Sequence, residues 1–255
     1  MSRFDNLSKI RQMLTSMRPS IGSWIQLPNA SVAEIMGNAG YDWIAIDAEH
    51  GTISIESFPH LFRAIELSGA VPLVRILEPS ISRCREALDS GAGGVIMPMI
   101  ESAKQLTELI SNCRWPPAGV RGVGFCRANL YGKRFDDYSE EAKSPLVVAM
   151  IETKKGIQNI SEIASVEGLD AVLIGPYDLT ASLGILGEFD SPLFEKAIST
   201  VKFECSKNSV ACGVHIVSPS KKNLQKRIDE GYTFIAYGID AVFLNDSCQN
   251  PNINS

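Results

Sequence analysis

Short apolar runs bounded by Gly, Pro or charge recur along the chain: GSWIQL (22–27), WIAIDA (43–48), PLVRIL (72–77), GGVIMPM (93–99), LVVAMIE (146–152), DAVLIGP (170–176), ACGVHI (211–216) and TFIAYGI (233–239). Their length and near-continuous apolar character predict eight strands buried on both faces. Between most of them lie segments of helical period, among them SVAEIMGNAG, SISRCREALDSG, SAKQLTELISNC, TKKGIQNISEIASVEG and SKKNLQKRIDEG, several opening on Ser or Thr and closing on Gly. Buried strands alternating with amphipathic helices predict a parallel sheet covered by helices, and eight such units predict a closed (β/α)8 TIM barrel. A doubly wound open sheet is the competing architecture. It is disfavoured because no GxGxxG follows the first strand; GVRGVG (119–124) falls instead in a long irregular segment, 115–144, between the fourth and fifth strands. Connections in α/β units usually run about 2–6 residues, so this one is expected to act as a lid or a substrate wall.

The chain of 255 residues suits one domain, 1–255, with a short charged N-terminal helix and a poorly ordered polar tail from about 245 to 255. A hydrophobic share of 45% against 21% charged argues against disorder. The net charge of -5 offers no basic footprint, which disfavours nucleic acid and anionic membranes as partners. Six scattered cysteines lack metal spacing and read as reduced thiols; with no apolar leader or membrane-length run, the expected location is cytoplasmic.

The working face of such a barrel lies at the carboxyl ends of its strands. There the sequence places Asp47, Glu49 and His50 after the second run, Arg75 in the third, Glu152 closing the fifth and Asp178 in the turn after the sixth. Glu152 and Asp178 end consecutive strands about 4.8 Å apart, and a divalent cation reconciles two carboxylates so placed; oxygen ligands without Cys or a His cluster favour Mg²⁺ or Mn²⁺ over zinc. The bland alternative pairs Glu152 with Lys154 or Lys155 and makes Asp178 a helix cap. Asp47 and His50, three apart in a turn, fit a carboxylate orienting an acid/base imidazole, with a solvated turn as the alternative. Arg75 inside an apolar strand demands an anionic partner, either Asp47 or Glu49 or a substrate oxyanion. His60 sits in a helical pattern and reads as structural; His215 reads as a core histidine or one reaching the pocket from the seventh strand. None of the eight runs contains Lys, which argues against Schiff-base chemistry.

The segments YDWIAIDAEHG, PLVRI, VIMPMIESA, RWPPAGVRGVG, MIETKKGIQNISEIASVEGLDAVLIGPYDLTASLG and GYTFIAYGID resemble the metal-dependent (class II) pyruvate aldolases of the HpcH/HpaI type, which act on hydroxy-oxo-heptanedioate and 2-keto-3-deoxy sugar acids within the phosphoenolpyruvate/pyruvate barrel superfamily. The resemblance runs from about Ile21 to about Leu244. It implies cleavage of a 2-keto-4-hydroxy acid to pyruvate and an aldehyde through a pyruvate enolate, with Mg²⁺, Mn²⁺ or Co²⁺ held by Glu152 and Asp178. It further implies His50 as acid/base residue assisted by Asp47, Arg75 as enolate stabiliser, and substrate held by Arg75, Gly175, Pro176, Tyr177 and Asp178, its carboxylate at the amino end of a helix after GPYDL. Asp89 matches an acid that the family presents across a subunit interface, so a homo-oligomer (dimer, trimer or hexamer) is expected. Two positions depart from the family pattern: Met150 stands where many relatives have Gln, and His215 where relatives are apolar. Oxaloacetate decarboxylation, another pyruvate-enolate reaction, or a non-catalytic keto-acid-binding barrel are the alternative functions.

Overall fold

The structure is a computed structural model and describes residues 3–248 and residue 250. Its strands are β1 (Ser20–Ile25), β2 (Trp43–Asp47), β3 (Val71–Arg75), β4 (Gly94–Met97), β5 (Leu146–Ile151), β6 (Ala171–Ile174), β7 (Ala211–Ile216) and β8 (Phe234–Ile239). Each pairs in parallel with its sequence neighbour and β8 returns to β1, closing the barrel. All eight expected runs are strands. The first begins two residues earlier than expected and ends before Gln26 and Leu27, because the Asp240 carboxylate accepts both of their N–H groups, at 2.9 and 3.0 Å, and turns the chain away from the ladder.

Side-chain alternation divides the core in two. Outward residues such as Ile44, Ile46, Val74, Val147, Val172 and Val214 pack beneath the helices. Inward residues, including Trp24, Trp43, Ala45, Leu73, Val148, Met150, Leu173 and Phe234, fill the lumen. Trp43 stacks on Phe234 with ring centroids 4.4 Å apart. It fits only because its β1 neighbour is Gly22, where a Cβ would come within 2.0 Å of the indole.

The N-terminal helix (Arg3–Thr15) closes the lumen at the amino ends of the strands with Leu7, Ile10 and Leu14. Burying each such side chain contributes about 1.5–3 kcal/mol, so this helix is part of the core. Expected Ser and Thr caps are present: Ser80, Ser102, Thr153 and Ser220 each accept a backbone N–H of the following helix. The segment 153–168 is not one helix. It breaks at Asn159 into Lys154–Gln158 and Ile160–Ala164, where the Asn159 amide donates to the Glu101 carbonyl at 2.7 Å.

The long 115–144 segment corrects an expectation. It follows the helix Ala103–Cys113, which has already run back to the amino ends of the strands, and it leads directly into the start of β5. It holds a helix of its own, Phe135–Ala142, and a small core of Trp115, Tyr138 and Ala142. Arg3 donates to Glu141 and Arg127 to Glu66, tying the segment to the closed floor of the barrel. Within its own chain it therefore forms neither lid nor wall of the mouth. The tail expected to be poorly ordered is helical through Ser247 (Asp240–Ser247); positions 249 and 251–255 of that expectation lie outside the described residues. All six cysteines are free thiols, and no helix among the described residues is long and apolar enough to cross a membrane.

Candidate active site

The alternation that fills the lumen also decides what lines its mouth. Continuing inward positions by twos places Gln26 after Trp24, Asp47 after Ala45, Arg75 after Leu73, Glu152 after Met150, Gly175 after Leu173, and His215 after Gly213. The carboxyl-end layer is therefore polar over an apolar lumen.

Asp47 and Arg75 are register partners. Arg75 donates through Nε to Asp47 Oδ1 at 2.9 Å and through Nη2 to Oδ2 at 2.6 Å, a two-pronged ion pair. Its third nitrogen, Nη1, lies 3.1 Å from Glu49 Oε2, and its guanidinium carbon sits 4.7 Å from the Trp24 ring centroid. Asp47 also accepts from Gln26 Nε2 at 2.8 Å and from the backbone N–H groups of Glu49 and His50 at 3.1 and 3.2 Å. Burial pushes the Asp47 carboxyl up, yet the Arg75 and Gln26 hydrogen bonds outweigh it and hold the group below the usual carboxylate range. Both anionic partners proposed for Arg75 are thus present at once.

The turn brings His50 to Asp47 through its backbone rather than its ring. The imidazole Nε2 lies 3.9 Å from Glu49 Oε2, and the side chain is 57% exposed. Asp47, already committed to Arg75, does not orient it; the carboxylate beside it is Glu49. Burial raises Glu49 above its ordinary range, Asp47 and Asp178 add to the rise, and Arg75 and His50 oppose it.

Glu152 is buried, and neither bland alternative for the second pair of acids holds. Lys155 pairs with Glu101 at 3.1 Å, while Glu152 Oε1 accepts the Met99 N–H at 2.6 Å. The helix Pro176–Ser182 starts inside GPYDL with Gly175 as its cap, leaving Asp178 in the first turn. Desolvation carries the Glu152 carboxyl up to about 7; the Met99 hydrogen bond and Arg75 work against it, and the negative charges of Glu49 and Asp178 reinforce it. At Gly175 a Cβ would fall 2.6 Å from Glu152 Oε2, so the absence of a side chain leaves that oxygen its place. The Tyr177 ring is turned outside the ring of strands, edge-on to Phe189 with centroids 5.0 Å apart.

Glu49, Glu152 and Asp178 thus form a mutually repelling group around one arginine whose charge Asp47 already neutralises. A hard divalent cation fits this donor set of oxygens. Among the described residues no three His, Cys, Asp or Glu side chains gather closely enough to hold an ion alone. Two carboxylates with the remaining positions open match the habit of Mg²⁺, which keeps waters and binds through one or two carboxylates plus substrate oxygens.

Asp89 is not brought to this group. It closes the helix Ile81–Asp89, which starts after β3 and runs back toward the amino ends of the strands; there it is half exposed, with Oδ1 3.9 Å from Arg121 Nε. Sequence reasoning missed Gln26, Trp24, the Met99 N–H and the place of Glu49 beside the His50 ring. Counting inward positions by twos from Gly22 would have found Trp24 and Gln26; the Met99 contact arises from chain folding beyond β4 and has no local signal.

Comparison with known proteins shows the family and the fold. Residues 20–247 match the family model described as HpcH/HpaI aldolase/citrate lyase. The chain is 34% identical to the hydroxypyruvate/pyruvate aldolase of Roseobacter denitrificans, covering 93% of both chains. It is 31% identical to the 5-keto-4-deoxy-D-glucarate aldolase of Citrobacter koseri, over 91% of this chain and 90% of that one. A crystal structure of a HpcH/HpaI aldolase/citrate lyase family protein from Burkholderia cenocepacia J2315 superposes with a TM-score of 0.87 at 31% identity, covering 94% of this chain and 95% of that one. Fold and sequence agree, and the chain belongs to the HpcH/HpaI aldolase/citrate lyase family.

Proposed function

We propose that this chain is a class II aldolase that reversibly cleaves a 2-keto-4-hydroxy acid to pyruvate and an aldehyde. One observation carries the reading: three carboxylates, Glu49, Glu152 and Asp178, share a barrel mouth with Arg75, and no strand supplies a lysine for an imine. The names of the two aldolase relatives support it.

Glu152 and Asp178 would hold the divalent ion, Mg²⁺ or Mn²⁺ by its oxygen donors, with Co²⁺ a further candidate. When bound, such an ion withdraws electrons from a chelated keto acid. The chain's own residues do the rest. In cleavage the hydroxyl proton on C4 passes to the His50 imidazole, the C3–C4 bond breaks, the aldehyde departs, and the electron pair moves onto the C2 oxygen as an enolate. A proton returned to C3 gives pyruvate. Arg75 is held by Asp47 and Glu49 before substrate arrives, so it meets the developing charge without reorganising. Glu49 stands beside the His50 ring, Oε2 3.9 Å from Nε2. Asp47 acts by positioning Arg75 and the turn. The backbone of Gly175, Pro176 and Tyr177 borders the substrate. Asp89 works in a homo-oligomer, at a neighbouring copy's site.

The test is pyruvate release, followed with lactate dehydrogenase, from a panel of 2-keto-3-deoxy acids before and after EDTA and with Mg²⁺, Mn²⁺ or Co²⁺ restored. Deuterium exchange at the pyruvate methyl group, read by NMR, isolates the enolate step. Metal-dependent release with exchange supports the reading. EDTA-resistant release removes the metal assignment, and reaction of oxaloacetate alone replaces cleavage by decarboxylation.

A further inference from the structure

His215 is a polar residue of the mouth that the proposed chemistry leaves unused. It is an inward position of β7, in the layer above Gly213 and Leu173, with its ring centroid 5.5 Å from that of Trp24. Trp24 in turn carries the Arg75 guanidinium on its face, so the imidazole stands one ring away from the group that meets the enolate. Its Nε2 is shielded from solvent and has no hydrogen-bond partner. The Gly238 backbone favours a proton on the ring, and with Nε2 unpartnered we assign that proton to Nδ1. Burial, with Arg75 adding, lowers the ring to about 4, so the imidazole is neutral near neutral pH. A neutral ring with its proton on Nδ1 presents a bare lone pair at Nε2.

A buried lone pair in the inward-facing layer at the carboxyl ends of the strands calls for a donor, and leaving it unmet costs about 1–3 kcal/mol. Met150 and Leu173 below it are apolar, and the indole N–H of the adjacent Trp24, itself buried, makes no hydrogen bond to it. A carboxylate offers only further lone pairs, and an unsubstituted alkyl chain offers nothing. A hydroxyl group fits. Resting on the aldolase reading above, we propose that His215 is a specificity-determining residue whose Nε2 accepts a hydrogen bond from a hydroxyl group on the aldehyde half of the substrate, selecting hydroxylated aldehydes over their deoxy counterparts.

The experiment compares aldol addition of pyruvate to glycolaldehyde and to acetaldehyde in the metal-loaded full-length enzyme, its His215→Leu variant and its His215→Gln variant. Pyruvate methyl exchange is recorded for each as its own measure of the enolate step. The deciding quantity is the ratio of kcat/KM for the two aldehydes. That ratio favours glycolaldehyde in the wild type, falls about tenfold in His215→Leu, and recovers in His215→Gln, whose amide oxygen restores an acceptor. A ratio within about twofold of wild type in His215→Leu overturns the inference, as does a fall that His215→Gln leaves unreversed. If the wild type exchanges no methyl protons, the aldolase reading itself fails and the inference with it. Exchange with an unchanged ratio removes the inference alone.

Discussion

Arg75 and Asp47 face each other directly across the β2–β3 pairing and are joined by two hydrogen bonds of 2.9 and 2.6 Å, with Asp47 almost wholly buried. The pair is both a structural element and the support of the proposed enolate contact, and substitutions separate the two roles. Arg75→Ala leaves a buried carboxylate unpaired, and we expect a loss of about 3–5 kcal/mol in urea unfolding. Arg75→Lys keeps the charge but gives up the fork. It should retain much of that stability while lowering kcat for pyruvate release about 100-fold, the scale of a lost oxyanion donor. Equal activity in Arg75→Lys and wild type would show that the guanidinium is structural only.

Gly175 bears on the site through space alone. An added Cβ would meet Glu152 Oε2 at 2.6 Å and Glu152 Cβ at 3.0 Å, and Glu152 is held on its other side by Met99. Gly175→Ala should therefore turn the Glu152 carboxylate away from Asp178. We expect at least a tenfold rise in the Mg²⁺ concentration needed for half-maximal activity, read by titration, with unfolding stability lowered by about 1–3 kcal/mol from the crowding.

Most of the barrel was legible in the sequence because a strand buried on both faces must be apolar throughout, and eight such runs stand out from amphipathic helices. Arg75 and Glu152 were legible for the converse reason, as charges placed inside or at the end of apolar runs. The 115–144 segment was misread because length says that a loop has work to do but not at which end of the barrel; that depends on where the preceding helix stops. The partner of Asp47 was open between Arg75 and His50, since residues three apart in a turn meet as readily by backbone as by side chain. Tyr177 shows the same limit: its place in GPYDL marks the motif, while the rotamer against Phe189 turns its ring outward.

Repulsion among Glu49, Glu152 and Asp178 predicts that a divalent ion stabilises the fold. Mg²⁺ binding the folded chain alone adds stability in proportion to the logarithm of its concentration over Kd, about 2.7 kcal/mol at a hundredfold excess. The melting temperature of EDTA-treated protein should rise on adding Mg²⁺ and level off at saturation. Glu152→Gln, with one fewer charge, should be insensitive to the ion over the same range. A wild type whose melting temperature ignores Mg²⁺, Mn²⁺ and Co²⁺ alike would remove Glu152 and Asp178 as ligands.

The position of Asp89, on the far side of its own barrel from Glu152, makes its proposed role a question of stoichiometry. If each copy lends Asp89 to a neighbour, Asp89→Ala and Glu152→Ala are both inactive alone, and a mixture refolded together forms some sites lacking neither residue. Activity recovered in such a mixture, up to about a quarter of wild type for random pairing across a two-copy site, is the expected outcome. No recovery, with mixed oligomers verified by mass, would leave Asp89 as a partner of Arg121 alone.

His215 gives the fold a pH dependence whose sign follows from its burial. Its folded value of about 4 lies below the ordinary 6.5, chiefly through desolvation, so the folded state disfavours the charged ring. The charged groups acting on it are Arg75, which lowers the value further, and Asp47, which raises it, with Gly238 also favouring the proton. A group depressed in this way leaves stability intact above 6.5 and removes it as pH falls toward 4, because the unfolded chain takes up the proton first. The whole effect is about 3 kcal/mol, from a shift of between two and three units at 1.36 kcal/mol each. Other carboxylates titrate in the same window, so the measurement is a difference: urea unfolding of wild type and His215→Leu at about pH 7 and at about pH 4. Wild type should lose about 3 kcal/mol more than the variant between the two conditions, narrowing or reversing any advantage it holds at neutral pH. A difference that stays flat would mean that the ring is charged, or freely hydrated, in the folded protein, and a ring of that kind has no bare lone pair to offer a substrate hydroxyl.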